Sequence, residues 1–135
     1  MTQCDVRPAF PADAPMMPAY IFERSKHNFV LSIGGVDMGV GGFENAGMQH
    51  LYQAWMFPFE DLHGHEIVVV RAVRRIITEV MNTTPSLMRI QTQTHAMDRL
   101  SYRFAMVCGF EAESLIISGA PDGGDMIMFR ILKGH

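Results

Sequence analysis

Apolar and polar positions along this chain follow two rhythms, and the switches between them set out the elements. Val69, Val73, Ile76, Ile77 and Val80 recur at helical spacing and make one apolar stripe, with Arg71, Arg74, Arg75 and Glu79 mostly off it. Residues 66–81 are therefore expected to form a long amphipathic helix, closed by the stretch ending at Pro85. A period of two marks 50–57, an aromatic-rich strand stopped by Pro58, and 87–94. Residues 28–33 and 36–43 flank Gly34-Gly35 and read as a hairpin, and Gly39, Gly41 and Gly42 in its second strand point to a bulge or a close backbone approach. Residues 95–107 read as a second helix, with Gly109 just past its end. Residues 111–118 and 125–132 form a last strand pair around Pro121-Asp122-Gly123-Gly124. Near the start, Pro8, Pro11, Pro15 and Pro18 forbid a long helix; 4–9 is expected as a short strand and Asp13 as the N-cap of a helical segment reaching about residue 26.

Strands and helices in this order define an α/β class, a mixed sheet with helices on both faces. Pattern alone leaves the strand order open. At 135 residues the chain is one domain's worth, and 48% hydrophobic with 19% charged residues excludes a disordered or fibrous chain. No apolar run approaches the roughly 18 residues of a membrane span, and prolines and charges near the start argue against a signal peptide. A net charge of −3 argues against nucleic acid as a partner. Two cysteines fit a reducing compartment. The 12 methionines suggest an adaptable core or an adhesive surface, without choosing between them.

Chemistry-bearing residues concentrate in the loop before the long helix, where Glu60, Asp61, His63, His65 and Glu66 lie close together. Imidazole and carboxylate suit a transition metal, but ligands this crowded cannot close a tetrahedron without distant help, so no metal is expected. Cys108 has no histidine placed by sequence to activate it and reads as a buried small hydrophobe. No nucleophile elbow or phosphate-binding glycine loop is present.

Val6-Arg7-Pro8-Ala9 followed by Ala12-Asp13-Ala14, the strand ending Met56-Phe57-Pro58, the loop into the long helix and the closing Gly109-Phe110-Glu111 together resemble the GNAT family of acetyl-CoA-dependent N-acetyltransferases. The resemblance runs over the whole chain as an order of elements and implies a single GNAT-like domain. Within that family, Arg103-Phe104 ahead of Gly109, Asp122-Gly123 and the ending Phe129-Arg130-Ile131-Leu132-Lys133-Gly134 resemble the small GNAT-like internal virion proteins of short-tailed bacteriophages. That narrower resemblance implies a protein of the virion or of the host cytoplasm, with virion or assembly proteins as partners; the sequence is compatible with an oligomer and leaves the oligomeric state open.

The family resemblance also implies a place for acetyl-CoA. The pyrophosphate would meet backbone N–H groups where the loop enters the long helix, and the family pattern Q/R-x-x-G-x-G/A falls on Asp61-Leu62-His63-Gly64-His65-Glu66. Gly64 matches; Asp61 and Glu66 bring carboxylates where an amide or guanidinium and a small residue are expected. At an effective dielectric of about 20, each such charge about 8 Å from a phosphate costs roughly 2 kcal/mol before screening. In an active protein, Met56, Phe57, His63, Gly64, His65, Glu66 and Ile67 would bind the cofactor, mostly through the backbone. The position of the family's general acid tyrosine is held by Ala105, leaving Tyr102, three residues earlier on the same helix, as the substitute. His50, Glu60 and His95 are the candidate general bases. Two expectations follow: a catalytically silent protein acting by contact, or an acetyltransferase with a variant loop.

Overall fold

The computed structural model describes residues 3–45, 47–59 and 61–134. Seven strands form one sheet: β1 (Cys4–Pro8), β2 (Ser25–Ile33), β3 (Val36–Asn45), β4 (Leu51–Pro58), β5 (Arg89–His95), β6 (Glu111–Ile116) and β7 (Met126–Leu132). Their order across the sheet is β1-β2-β3-β4-β5-β7-β6. All neighbours are antiparallel except β4 and β5, which run parallel and are joined by the long helix α2 (Glu66–Thr83). The other helices are α1 (Ala19–Arg24) and α3 (Arg99–Val107).

The apolar stripe of α2 is buried as its spacing requires: Val69, Ala72, Val73, Ile76, Ile77, Val80 and Met81 face the sheet. They share one core with Leu31, Phe43, Tyr52, Ile90 and Phe129 from the strands and with Ala105 and Cys108 from α3. Both long helices therefore lie on one face. A smaller core on the other face joins Ala9, Ala14 and Phe22 to Val30 and Val40, with Trp55 packed beside it. The Trp55 indole donates to Ser25 Oγ at 2.8 Å and meets Phe22 edge-on.

Turn chemistry matches the sequence at two places. Gly34 and Gly35 both have positive φ, 59° and 81°, in a two-residue turn that pairs Ile33 with Val36. Gly109, at φ 104°, ends α3 in a Schellman arrangement, with Phe110 N–H bonded to Ala105 O and Gly109 N–H to Met106 O, both at 3.1 Å. The glycines of β3 permit a close approach: a Cβ on Gly42 would stand 2.3 Å from Asn28 Oδ1 and 2.4 Å from Ser25 Oγ. Two register shifts accompany it: one in β2 between Lys26 and Phe29, where His27 takes a φ of 55°, and one in β3, where Met38 is the extra residue between the Leu31–Gly39 and Ser32–Asp37 pairs, beside Gly39 as expected.

Two helix starts differ from expectation. The Asp13 carboxylate accepts the Phe10 N–H at 2.7 Å and pairs with Arg7 at 3.0 Å. It closes a single 3-10 turn, Pro11–Asp13, and helix begins only at Ala19, beyond Pro15 and Pro18. In α3, His95 belongs to the strand, and Asp98 is the N-cap, accepting from Ser101 N–H at 3.1 Å and from its hydroxyl at 2.6 Å. Among the described methionines, Met16, Met48, Met88, Met97 and Met106 are exposed, Met17, Met56, Met126 and Met128 are half-buried, and Met38 and Met81 are buried, so they are shared between core and surface.

Gly42→Ala is expected to lower unfolding stability by about 1–3 kcal/mol, because the new methyl overlaps Asn28 and Ser25. Urea denaturation of the two proteins checks this.

Candidate functional site

The parallel strands β4 and β5 pair over only three residues, Leu51–Gln53 against Arg89–Gln91. Beyond Gln53 they part, while β4 stays paired with β3 as far as Pro58. Two side-chain bonds link the strands where they part: Gln91 Nε2 donates to Gln53 Oε1, and Thr92 Oγ1 donates to the Ala54 carbonyl, both at 3.1 Å. Because that carbonyl points into the gap, strand alternation sends the N–H and C=O of Met56 to the same side. Pro58, two residues on, has no N–H to offer. Phe57 is exposed at the mouth, its ring 6.1 Å from that of Phe59. On β5, Thr94 has a buried hydroxyl with no partner among the described residues.

From the mouth of the gap the chain enters α2 through Asp61–His65. The Asp61 carboxylate accepts the His63 N–H at 2.9 Å, and His65 N–H bonds to Leu62 O at 2.9 Å around Gly64, whose φ is 84°. Val69 N–H closes the first helical bond, to His65 O at 3.1 Å. The N–H groups of Gly64, Glu66, Ile67 and Val68 reach no acceptor among the described residues, the open donors of a helix start. Glu66 stands in this first turn with its carboxylate 3.6 Å from His63 Nδ1. A pyrophosphate cradle needs free donors and no competing anion. Here the main-chain donors are open, but the side chains bring two carboxylates beside them, one seated on the His63 N–H, and that charge does not suit an acetyl-CoA pyrophosphate.

The remaining candidates do not converge on the gap. Tyr102 packs edge-on against Phe129, ring centres 5.2 Å apart; Phe129 is on β7, and β5 lies between that strand and β4. Ala105 is buried in the core. His50 stands at the entry to β4, seven residues and about 23 Å of extended chain from Phe57, at the opposite end of the strand. Glu60 lies outside the described residues. His95 is at the gap end of the sheet, but both of its nitrogens are engaged. Met97 N–H donates to Nδ1 at 3.1 Å, which places the proton on Nε2, 3.0 Å from the Asp122 carboxylate. Bonds from Gly124 N–H and then from His95 hold that carboxyl below its ordinary pKa. Sequence reading missed the Thr92 bridge, since a lone threonine in a strand carries no signal of what its hydroxyl meets.

Elsewhere, Arg89 grips Glu113 through two bonds, the longer at 2.7 Å, and Arg130 adds a third at 3.2 Å. The Arg89 guanidinium, foremost, holds the Glu113 carboxyl below the usual range. Two cavities lie away from the gap. One of about 440 Å³ sits between β1, β2 and the C-terminal half of α2, and one of about 60 Å³ lies beside Gly109 and Arg130. No group of three or more His, Cys, Asp or Glu side chains converges among the described residues. No helix there is long and apolar enough to cross a membrane.

The fold of this chain is shared with solved acetyltransferases. The chain aligns with IAA acetyltransferase from Bacillus cereus over 98% of its own length and 99% of that chain, at 16% identity and a TM-score of 0.72. Aminoglycoside acetyltransferase AAC(6')-Ib, solved with coenzyme A and kanamycin, matches over 97% and 95%, at 13% identity and a TM-score of 0.74. A GNAT-family acetyltransferase from Bacillus anthracis matches over 80% and 67%, at 19% identity and a TM-score of 0.68. The chain thus has the GNAT acyltransferase fold. No protein-family model and no curated protein matches the sequence.

Burial pushes the Cys108 thiol up to about 12, with nearby Arg74 lowering it only in part, and burial likewise raises Cys4. At pH 8 the Cys108 thiolate is then about one molecule in ten thousand. Ellman's reagent is expected to leave both native thiols unlabelled at pH 8 and to react with both once denaturant unfolds the chain.

Proposed function

We propose that this is a GNAT-fold protein that works by contact rather than by acetyl transfer, as a virion or assembly component of a short-tailed bacteriophage. The observation that carries the silent reading is the Asp61 carboxylate seated on His63 N–H, where the fold would offer donors to a pyrophosphate. Glu66 in the first turn of α2 adds a second negative charge, and Ala105 at the acid position has no proton to give. Support for the phage role comes from the C-terminal resemblance around Arg103-Phe104, Asp122-Gly123 and residues 129–134. The exposed methionines suit a surface that packs against partners.

A second reading, an acetyl-CoA-dependent N-acetyltransferase acting on an amine, is favoured by the backbone alone. Met56 turns its N–H and C=O into the gap, and the first turn of α2 keeps its donors open. Main-chain donors survive changes of side chain, and the coenzyme A complex of AAC(6')-Ib shows a protein of the same fold holding that cofactor.

Thermal shift with acetyl-CoA separates the two. The native chain is expected to show no shift at about 1 mM cofactor. A ligand at 100 times its Kd adds about 2.7 kcal/mol, roughly 10 °C for a domain of this size, so binding would be plain and would overturn the silent reading. Asp61→Gln combined with Glu66→Gly is expected to gain a saturable shift. No gain in that variant would remove the two carboxylates as the reason for silence.

A further inference from the structure

Helices α2 and α3 both start at the end of the sheet where β4 and β5 finish, so they run parallel and side by side. Arg74 ties them together by donating to the Val107 carbonyl at 3.1 Å. Along α2, Ile67, Arg71 and Arg74 are exposed at i, i+4 and i+7; along α3, Leu100, Arg103 and Val107 are exposed at i, i+3 and i+7. Each row spans about 10 Å, two helical turns. Phe104, partly buried on the main core, lies between the two exposed ends of the α3 row.

Two properties set this face apart. Its apolar members stand far out of the core, Leu100 82% exposed, Ile67 70% and Val107 42%. Its charge also opposes that of the molecule. The two helices carry five arginines, at 71, 74, 75, 99 and 103, against two glutamates, at 66 and 79, in a chain of net charge −3. Among the described residues the arginines that form ion pairs lie outside these helices, at 7, 89 and 130, and Glu66 of α2 faces His63. Opposite charges at i, i+4 stabilise a solvated helix face; here Arg71 and Arg103 meet no carboxylate among the described residues, Arg74 bonds only a main-chain carbonyl, and exposed aliphatic side chains stand beside them.

We infer that this α2/α3 face is a docking surface for an acidic amphipathic helix of another protein. A third helix laid along two parallel ones places a row of aliphatic side chains between Leu100 and Ile67, and its flanking carboxylates reach Arg71, Arg74 and Arg103. Charge complementarity selects this partner: a second basic surface is repelled, and a purely apolar one leaves the guanidinium groups unanswered as they lose water. The inference names a partner chemistry for the contact role proposed above and rests on that role, which the acetyl-CoA titration tests separately.

The test is a titration of the isotope-labelled full chain with a synthetic helical peptide of about 15 residues, leucines along one face and glutamates beside them, followed by NMR and fluorescence anisotropy. Saturable binding is expected, with shifts centred on residues 67–74 and 100–107 and an affinity that falls as salt rises. Arg71→Glu with Arg103→Glu is expected to weaken binding at least about tenfold, as is Leu100→Gln. Lys26→Glu, away from the face, should leave binding unchanged, and circular dichroism verifies that each variant is folded. A lysine-for-glutamate version of the peptide should not bind.

Absence of binding, or shifts elsewhere that ignore the Arg71 and Arg103 changes, overturns the inference. So does binding of phosphatidylserine vesicles or duplex DNA at this face when the peptide fails, or self-association of the chain that the arginine changes abolish. If acetyl-CoA and the peptide both fail to bind, this face falls while the contact role stands; if acetyl-CoA binds, the role itself falls.

Discussion

Parallel strands that stop exchanging hydrogen bonds while still sharing a core impose a demand on everything around them. After Gln53 and Gln91, β4 and β5 diverge, and the freed backbone groups of β4 must meet solvent, a ligand or a side chain. Thr92 answers the first of them, through Ala54. The two halves of the sheet are joined by that short parallel pairing and by the helices above them: α2 covers the first half, α3 the second, and their apolar faces merge in one core. The bond from Arg74 to Val107 extends that union to the surface. Beneath both helices the core is close-packed around Val69, Ile90 and Phe129, which are fully buried.

Charge is distributed along the same axis. The mouth of the gap is acidic, through Asp61 and Glu66, with His63 beside them; the helices leading away from it are rich in arginine. A carboxylate at the start of α2 opposes the positive end of the helix dipole and stabilises the helix by a few tenths of a kcal/mol to about 1 kcal/mol. The same charge is unfavourable beside a phosphate. Local stability and cofactor chemistry thus pull Glu66 in opposite directions, and this chain holds the residue that favours the helix.

The elements legible in the sequence were those specified locally. The α2 stripe, the Gly34-Gly35 turn and Gly109 each carry their cause within a few residues, through periodicity or a backbone angle that favours glycine. Helix starts were less legible, because Asp13 and Asp98 are both good caps and only tertiary placement decides their use. Arg7 and the Phe10 N–H claim Asp13, whereas Ser101 claims Asp98. The site was legible as a loop but not as a constellation. Position in the chain alone points to Tyr102 and His50; the first rests on a strand beyond the gap and the second stands at the far end of β4. Nothing local reports which strand lies beneath a helical side chain. The exposure of Leu100 was equally hidden, since an amphipathic pattern does not say how much of its apolar arc the sheet will cover.

The irregularity between Ala112 and Ser114 has a consequence for the chain in crowded solution. β6 is an edge strand, and a straight edge presents a continuous row of unpaired amides to any extended segment that drifts past. The register shift breaks that row in the middle, and Glu113, at the break, is held by two arginines of the same sheet. At the opposite edge, β1 ends in Pro8, which has no amide hydrogen to offer, and carries Asp5 and Arg7. Both borders of the sheet are therefore poor templates for runaway strand addition.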